Sequence, residues 1–568
     1  MLSLLKSVLK SSLKKPNRIE NDDQQSNTKD ETIANIAGSD FAVLWLAAER
    51  EAKAGNDKEA RHLCYLALEK EPDNPILLCQ LGTIEQKMAF YDDARDNLLT
   101  AIHADSGYLP AYRQLALLYR ELKEFDTSIV YLKRALEIAP NNQDILCDLG
   151  NAHASKKLYP EAVNFYEQAL AIAPDWGEAY SNLSNSLLLM NEYEKAVEPL
   201  LIAKAMGVTS REIHINFSYL YSSTGYLPRA YRYAQKALQK YPEDEQFHWM
   251  SSWSLLLYKH FHRGWMEYEY RFCEAAGVTR RNLNFPEWQG ENLTGKTILI
   301  IAEQGLGDQL MFASCFYDIV NIAQKCIIEC DRRLLGLFEN SFPNIQFIGT
   351  QLKSNDKLLA QITCDIDYYT HIGSLPRWLR NDISDFYPQR CYLKANVERI
   401  AHWRQQLQQI GSGLKIGISW RGGVDKTRTQ FRTIRLADWE PILKIKGVHF
   451  INLQYGDCKQ ELQEISSSLE VEIHHWPEAI ADYQETAALV SSLDLVLSVC
   501  TSVIHLAGGL GKKTWVLVPA APEWRYLAHD KMMPWYLQVQ LFRQQRLLEW
   551  QPLLLEIADK LRLLQLNN

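Results

Sequence analysis

The chain has 568 residues, 47% of them hydrophobic and 23% charged. At a usual domain size of about 150 residues this predicts three to four domains rather than one core, and the charge content excludes a membrane protein. Lys and Arg number 61 against 69 Asp and Glu, a net charge of -8, so the broad positive field that nucleic acid or anionic lipid requires is missing. The 11 cysteines run from Cys64 to Cys500 without a C-x-x-C pair or a His cluster of zinc-ligand spacing, which predicts reduced thiols in a cytoplasmic protein. At the N-terminus Leu2, Leu5, Leu9 and Leu13 can share a helix face, but Lys6 and Lys10 interrupt the stretch before a continuous apolar region develops. No signal peptide is expected. A frayed basic tail is expected there, with a membrane-surface or partner-docking helix as the alternative. No run approaches the roughly 20 apolar residues that cross a bilayer.

Residues 16–38 are rich in Asn, Asp, Gln and Ser and have too little apolar surface to offset the entropy of ordering, so they read as a linker. Beyond them Ala67, Ala101, Ala135, Ala169, Ala203 and Ala237 stand 34 residues apart, as do Ala60, Ala94, Ser128, Ala162, Ala196 and Ala230. Pro72, Pro140, Pro174 and Pro242 fall on a third series of the same period. Small residues let two helices approach closely, pairs such as Leu78/Leu81 and Leu146/Leu149 fill the space between neighbours, and proline stops the second helix. This pattern resembles the tetratricopeptide repeat (TPR), with six units over 41–244 and an aberrant seventh over 245–275. The resemblance implies a right-handed superhelical solenoid whose concave groove binds extended peptide or another protein, or one that serves only as an oligomerisation or spacing element. Trp249, Trp253, Trp265, Tyr268 and Tyr270 crowd the last unit and read as a capping core that joins the solenoid to the next domain; an aromatic platform is the alternative. Pro286, Trp288, Gly290 and Gly295 mark the shift into that domain.

From Lys296 the helical period gives way to short apolar runs. Residues 297–302 read as a buried parallel strand, followed by the glycine loop Glu303-Gln304-Gly305-Leu306-Gly307-Asp308 and an apolar helical stretch from Gln309 to Ile322. Strand, glycine turn and helix start make a cradle for an anionic or hydroxyl-rich ligand. A second α/β unit comes after it: strand 415–420 with the turn Arg421-Gly422-Gly423, strand 450–454, a helix around 486–492, strand 495–499, then Cys500-Thr501-Ser502 opening helix 503–510, and strand 515–518. Such alternation predicts doubly wound parallel sheets whose ligands sit outside the carboxyl ends of the strands, where Trp420, Gln454, Thr501 and Ser502 fall.

The segments EQGLGD (303–308), GISWRGG (417–423), LQYG (453–456) and TSVIHLAGGLG (501–511), followed by WVLVP (515–519), resemble the heptosyltransferase-like (family 9) GT-B glycosyltransferases. With the repeats ahead and Trp524-Arg525-Tyr526, Pro534-Trp535-Tyr536, 541–544 and Trp550 behind, the chain is most similar to bacterial proteins in which TPRs precede such a domain, flagellin glycosyltransferases being the best comparison. The resemblance covers 41–565. It implies an α-helical TPR solenoid followed by an α/β GT-B-like domain of two Rossmann-like lobes: tail and linker 1–40, solenoid 41–275, acceptor-side lobe 286–405 and nucleotide-sugar lobe 412–568.

It further implies transfer of a sugar from a nucleotide-sugar co-substrate to Ser or Thr of a protein acceptor, flagellin first, bound by the TPR groove, with no other cofactor and no metal. Asp308 would be the general base toward the acceptor hydroxyl; the competing reading makes it the cap of a helix beginning at Gln309. Glu303, Gln304, Gly305 and Gly307 complete the acceptor-side loop. Trp420, Arg421, Gly422, Arg432, Gln454, Thr501, Ser502 and His505 form the donor side, where the leaving phosphate needs preorganised donors. His505 is equally a satisfied core histidine by its setting, and Lys426 is either a phosphate partner or a solvated loop residue. Cys500 stands where many family members carry Asp, so the sugar is not fixed by the resemblance. Asp365 and Asp367 are not taken as a metal-binding D-x-D, and His474-His475 lacks a third ligand in sequence reach. A non-catalytic TPR scaffold with a degenerate GT-B domain, and a transferase acting on a lipopolysaccharide or other carbohydrate acceptor, are the competing functions.

Overall fold

The computed structural model describes residues 40–350, 355–386, 391–422 and 429–566. The N-terminal leucines, the polar stretch 16–38, Gly423 and Lys426 lie outside the described residues. From Asp40–Lys53 to Phe261–Tyr268 the described residues form fourteen helices in seven consecutive pairs, stacked as TPR repeats. The 34-residue alanines are the reason the pairs close. Ala67, Ala101, Ala135, Ala169, Ala203 and Ala237 are all fully buried. At the one polar position of the second series, Ser128 is buried and donates its hydroxyl to the Ala116 carbonyl at 2.7 Å, so no polar atom is stranded there.

The turns follow the same period. Two residues after Pro72, Pro140 and Pro242 stand Asn74, Asn142 and Asp244, each a helix N-cap whose side chain accepts first-turn backbone N–H groups. Between the helices of each pair one residue takes the left-handed conformation: Gly55, Ala89, Lys123, Lys157, Asn191, Gly225 and Lys259, each 34 residues after the last. Only two of the seven are glycine, so the turn geometry is imposed by the packed helices on either side and not by local preference.

The chain divides into two compact units between Leu220 and Tyr221, inside the Arg211–Ser223 helix. In the second unit two parallel sheets come after the last helices. The first has the order β3-β2-β1-β4, with β1 Thr297–Ile301, β2 Lys325–Asp331, β3 Gln346–Thr350 and β4 Tyr368–His371. The second has the order β10-β9-β8-β5-β6-β7, with β5 Leu414–Ser419, β6 Val448–Asn452, β7 Ile473–His474, β8 Leu495–Val499, β9 Thr514–Val518 and β10 Val539–Arg543. Strands β1, β5, β8 and β9 are buried almost throughout, as their continuous apolar runs require. The strand order reverses between β1 and β4 in one sheet and between β5 and β8 in the other, which opens a crevice at each carboxyl edge.

Of the aromatic residues in the last helical pair, Trp265 and Tyr268 are core, while Trp249 and Trp253 pack half-buried against it. Trp265 and Tyr268 are buried, pack against Trp524, and share an apolar cluster with Ile298 and Trp535. Trp265 also donates its indole N–H to the Arg380 carbonyl at 2.8 Å. Tyr270 remains partly exposed.

Gly150 tests the close approach within a repeat. A Cβ there would lie 2.5 Å from the buried Tyr166 ring, so Gly150→Val is expected to lower stability by about 1–3 kcal/mol, read as an earlier urea midpoint. An unchanged midpoint would show that the pair is looser than its packing indicates.

Candidate active site

The first half of the site is built at the β1/β4 crossover. After β1 the chain passes through Glu303 and Gln304 to Gly305, which is the extended N-cap of the Leu306–Phe312 helix. This corrects the helix expected to begin at Gln309. Asp308 lies inside the first turn, donates its own N–H to the Gly305 carbonyl, and caps nothing with its side chain. The helical stretch is also broken, with a 3-10 turn at Ala313–Cys315 before Phe316–Ile322.

Three side chains hold this loop. The Gln309 carboxamide donates to the Gln304 carbonyl at 3.0 Å and accepts from the Asp331 N–H at 2.9 Å. Gln304 bonds the Tyr268 hydroxyl at 3.1 Å. The Glu303 side chain is fully buried, and its Oε1 accepts from Arg271 Nε at 2.9 Å and from Gly373 N at 3.2 Å, tying the loop after β1 to the loop after β4.

The second half stands at the β5/β8 crossover. Gln454 Oε1 accepts from Trp420 N (3.0 Å), Arg421 N (2.8 Å) and the Ser419 hydroxyl (3.1 Å), so this one amide shapes the loop after β5. The Trp420 ring is wholly buried and donates its indole N–H to Glu461, which also pairs with Arg421. Gly422 passes so close to the loop after β8 that a Cβ would sit 2.8 Å from the Cys500 carbonyl and 3.1 Å from Arg432 Cβ. Thr501 is the N-cap of the Ser502–Gly509 helix but makes no side-chain cap bond; its hydroxyl meets that of Ser498 at 3.1 Å. Ser502 accepts from the Tyr483 hydroxyl at 3.2 Å.

The two halves meet. A Cβ on Gly307 would lie 3.2 Å from His505 Cδ2 and 3.5 Å from Ser502 Cα. Asp308 Oδ1 accepts from Arg525 Nη2 at 2.5 Å, and Arg525 Nη1 pairs with Glu523. Glu523 in turn pairs with Arg432 at 3.0 Å, and Arg432 reaches toward the Cys500 carbonyl at 3.4 Å. Asp308, Gly307, Gly422, Arg432, Ser502 and His505 are thereby neighbours in one place. Trp420, Arg421 and Gln454 form a second group around Glu461, on the β6 side. Neither Arg525 nor Glu523 is singled out by sequence reasoning; Arg525 belongs to the Trp524-Arg525-Tyr526 string, but nothing in a linear reading pairs it with Asp308.

Burial sets the charge states. It disfavours the Arg525 cation, yet Asp308 beside it holds that guanidinium above its usual value. Burial, with Arg525 nearby, keeps the His505 imidazole well below its usual value, while its Nδ1 lies 3.0 Å from the Tyr536 hydroxyl. The Cys500 thiol is buried and pushed up to about 11, so it is neutral. Asp367 is occupied by Lys296 at 2.9 Å and the Thr297 N–H at 2.8 Å. Among the described residues no helix is long and apolar enough to cross a membrane.

Residues 107–175 match the tetratricopeptide repeat family, and this part of the chain is TPR. Protein FlbA of Caulobacter vibrioides is 29% identical over 547 residues, 92% of this chain and 84% of its own length. Protein O-mannosyl-transferase TMTC3 of Mus musculus is 25% identical over 181 residues, 29% of this chain and 20% of its own. A solved structure from a functional characterisation of Pseudomonas aeruginosa pilF is 16% identical with a TM-score of 0.34, over 38% of this chain and 96% of that one.

The neutral, buried His505 has a pH signature. In the unfolded chain it takes a proton below about 6.5, whereas in the folded chain it does not. The unfolded state therefore binds the extra proton, and stability falls as pH drops from about 6.5 toward the lowered folded value. His505→Gln is expected to flatten this fall, measured as urea midpoints at about pH 7 and about pH 5; an unchanged slope would mean that His505 is protonated in place.

Proposed function

We propose that the chain is a cytoplasmic glycosyltransferase that moves a sugar from a nucleotide-activated donor to a Ser or Thr hydroxyl of a protein, with flagellin the first acceptor to test. In this reading 41–275 is the acceptor-recruiting solenoid, 286–405 the acceptor lobe and 412–568 the donor lobe. The supporting observation is that the loops at both crossovers converge: Gly307, next to Asp308 in the chain, lies against the start of the Ser502–Gly509 helix. In this reading the Asp308 carboxylate and the backbone N–H groups of that helix start serve one crevice, as group transfer from a phosphate leaving group requires.

The chemistry is set by those roles. The acceptor hydroxyl lies against Asp308, which takes its proton as the oxygen attacks the anomeric carbon. The bond from that carbon to the donor phosphate oxygen breaks, and its electron pair leaves with the nucleotide. The N–H groups at the helix start, the Thr501 and Ser502 hydroxyls and Arg432 stabilise the charge that gathers on the phosphate. Gln454 and Gly422 act by shape: the first fixes the β5 loop and the second lets it lie against β8. Glu303, Gln304 and Gly305 set the position of Asp308. On the recruiting side, a recess of about 450 Å³ in the repeats is lined by Arg120, Asn151, Tyr159, Asn182 and Asn185 among others. Its polar lining suits the amide groups of an extended polypeptide.

The test is transfer in vitro with purified chain, a panel of nucleotide-sugars and flagellin. Asp308→Asn is expected to lower the rate by about 10²–10⁴-fold, the usual share of a general base, while acceptor binding is unchanged. Full transfer by that variant would remove Asp308 from its role, and failure to modify any protein acceptor would remove the reading itself.

A further inference from the structure

Four charged side chains stand in a row across the crevice: Asp308 of the first lobe, then Arg525, Glu523 and Arg432 of the second. All are largely withdrawn from water, with side-chain exposures of 22% for Asp308 and 14% for Arg525. Arg525 is held further by the Trp524 ring, 4.9 Å from its guanidinium carbon. A general base in this setting has a difficulty. Arg525 donates to Asp308 Oδ1 at 2.5 Å, a charge-assisted bond that takes one of that oxygen's lone pairs and fixes the carboxylate against the guanidinium. For Oδ1 to take the proton, that bond must yield.

We propose that Arg525 is exchanged between Asp308 and the donor: it is the counter-ion of Asp308 in this structure and becomes a ligand of the donor phosphate when a nucleotide-sugar is bound. The inference rests on the function proposed above and adds a regulatory step to it. A nucleotide diphosphate linkage carries one negative charge on each of two phosphates, against one on a carboxylate, and offers the planar guanidinium fork two oxygens. Arg432 supports the same position from the other side. It shares Glu523 with Arg525 and reaches the Cys500 carbonyl, one residue before the N-cap of the Ser502–Gly509 helix. The row thus leads from the base to the helix start that receives the phosphate. The base is released only when the donor is in place, which orders binding as donor first and acceptor second.

Exchange and simple structural support predict opposite signs. Calorimetric titration of the full chain with ADP, UDP, GDP and CMP identifies the nucleotide that binds. For that nucleotide, Asp308→Asn is expected to bind roughly tenfold tighter, since Arg525 no longer has a competing anion, and Arg525→Gln roughly tenfold weaker. Arg525→Lys, which keeps the charge without the fork, falls between wild type and Arg525→Gln. The double variant D308N/R525Q separates exchange from mere relief of repulsion: Asp308→Asn tightens nothing once Arg525 is gone. If Arg525→Gln does not fold, Asp308→Asn and Arg525→Lys carry the same comparison. Unchanged or weaker binding by Asp308→Asn, or tightening that survives in the double variant, overturns the exchange and leaves the transferase reading standing. No heat from any nucleotide with the wild-type chain overturns both.

Discussion

The ion pair between Asp308 and Arg525, 217 residues apart, is the contact on which the candidate site depends. Each partner is delivered by a carboxyl edge. Asp308 sits in the first turn after β1, and Arg525 in the short turn Trp524–Tyr526 after β9. Parallel strands with crossovers on both faces leave loops rather than hairpins at that edge, and where the strand order reverses those loops separate into a crevice. Charged groups placed there are poorly hydrated and must find partners, because a solitary buried charge is costly. The alternation of Asp308, Arg525, Glu523 and Arg432 meets that demand, and it does so with groups whose charge a phosphate or a hydroxyl can address.

Glycine does the complementary work. At Gly422 a side chain would collide with the Cys500 carbonyl, 2.8 Å from its Cβ, and at Gly307 a Cβ would be tight against His505 at 3.2 Å. Neither has a left-handed backbone; what each permits is approach. The close contacts also explain why the thiol of Cys500 is turned into the core, toward the Leu517 carbonyl at 3.8 Å. Cys500 therefore faces Gly422 with its backbone carbonyl rather than its thiol.

Much of this is legible in the sequence, for a physical reason in each case. Periodic alanines announce helix pairs because only small side chains let backbones approach, and the apolar runs at 297–302, 415–420, 495–499 and 515–518 announce strands buried on both faces, within one residue of the strands observed. The glycine loops mark the crossover points. Other features leave no linear trace. The left-handed turn residue recurs every 34 positions, yet its occupants include alanine, asparagine and three lysines, so its regularity exists only in the backbone. β2, β3, β4 and β10 lie in stretches with weaker alternation, and β6 begins two residues earlier than its apolar run suggests. Gln454 reads as a donor-side ligand from its place at a strand end; in the fold its carbonyl oxygen is committed to three donors of the neighbouring loop. Arg525 and Glu523 cannot be paired with Asp308 and Arg432 until the sheets are assembled.

The end of the helical array reaches into this chemistry through Tyr268, bonded to Gln304, and through Arg271 just beyond the last helix. Arg271 is completely buried, and its guanidinium is divided among Glu269, Glu303 and the Ser374 hydroxyl at 2.8–2.9 Å. Glu303 begins the Asp308 loop and Ser374 follows β4, so both edges of the first crevice are referenced to a 3-10 turn that directly continues the Phe261–Tyr268 helix. Two carboxylates around one cation hold the Arg271 charge firmly in place despite its burial. The loop that presents Asp308 is thus positioned by the α/β lobe on one side and by the end of the helical array on the other. A shift of that helical end would be felt at Glu303, Gln304 and Ser374, which are bonded to it directly, whereas Asp308 has its side-chain partner, Arg525, in the turn after β9.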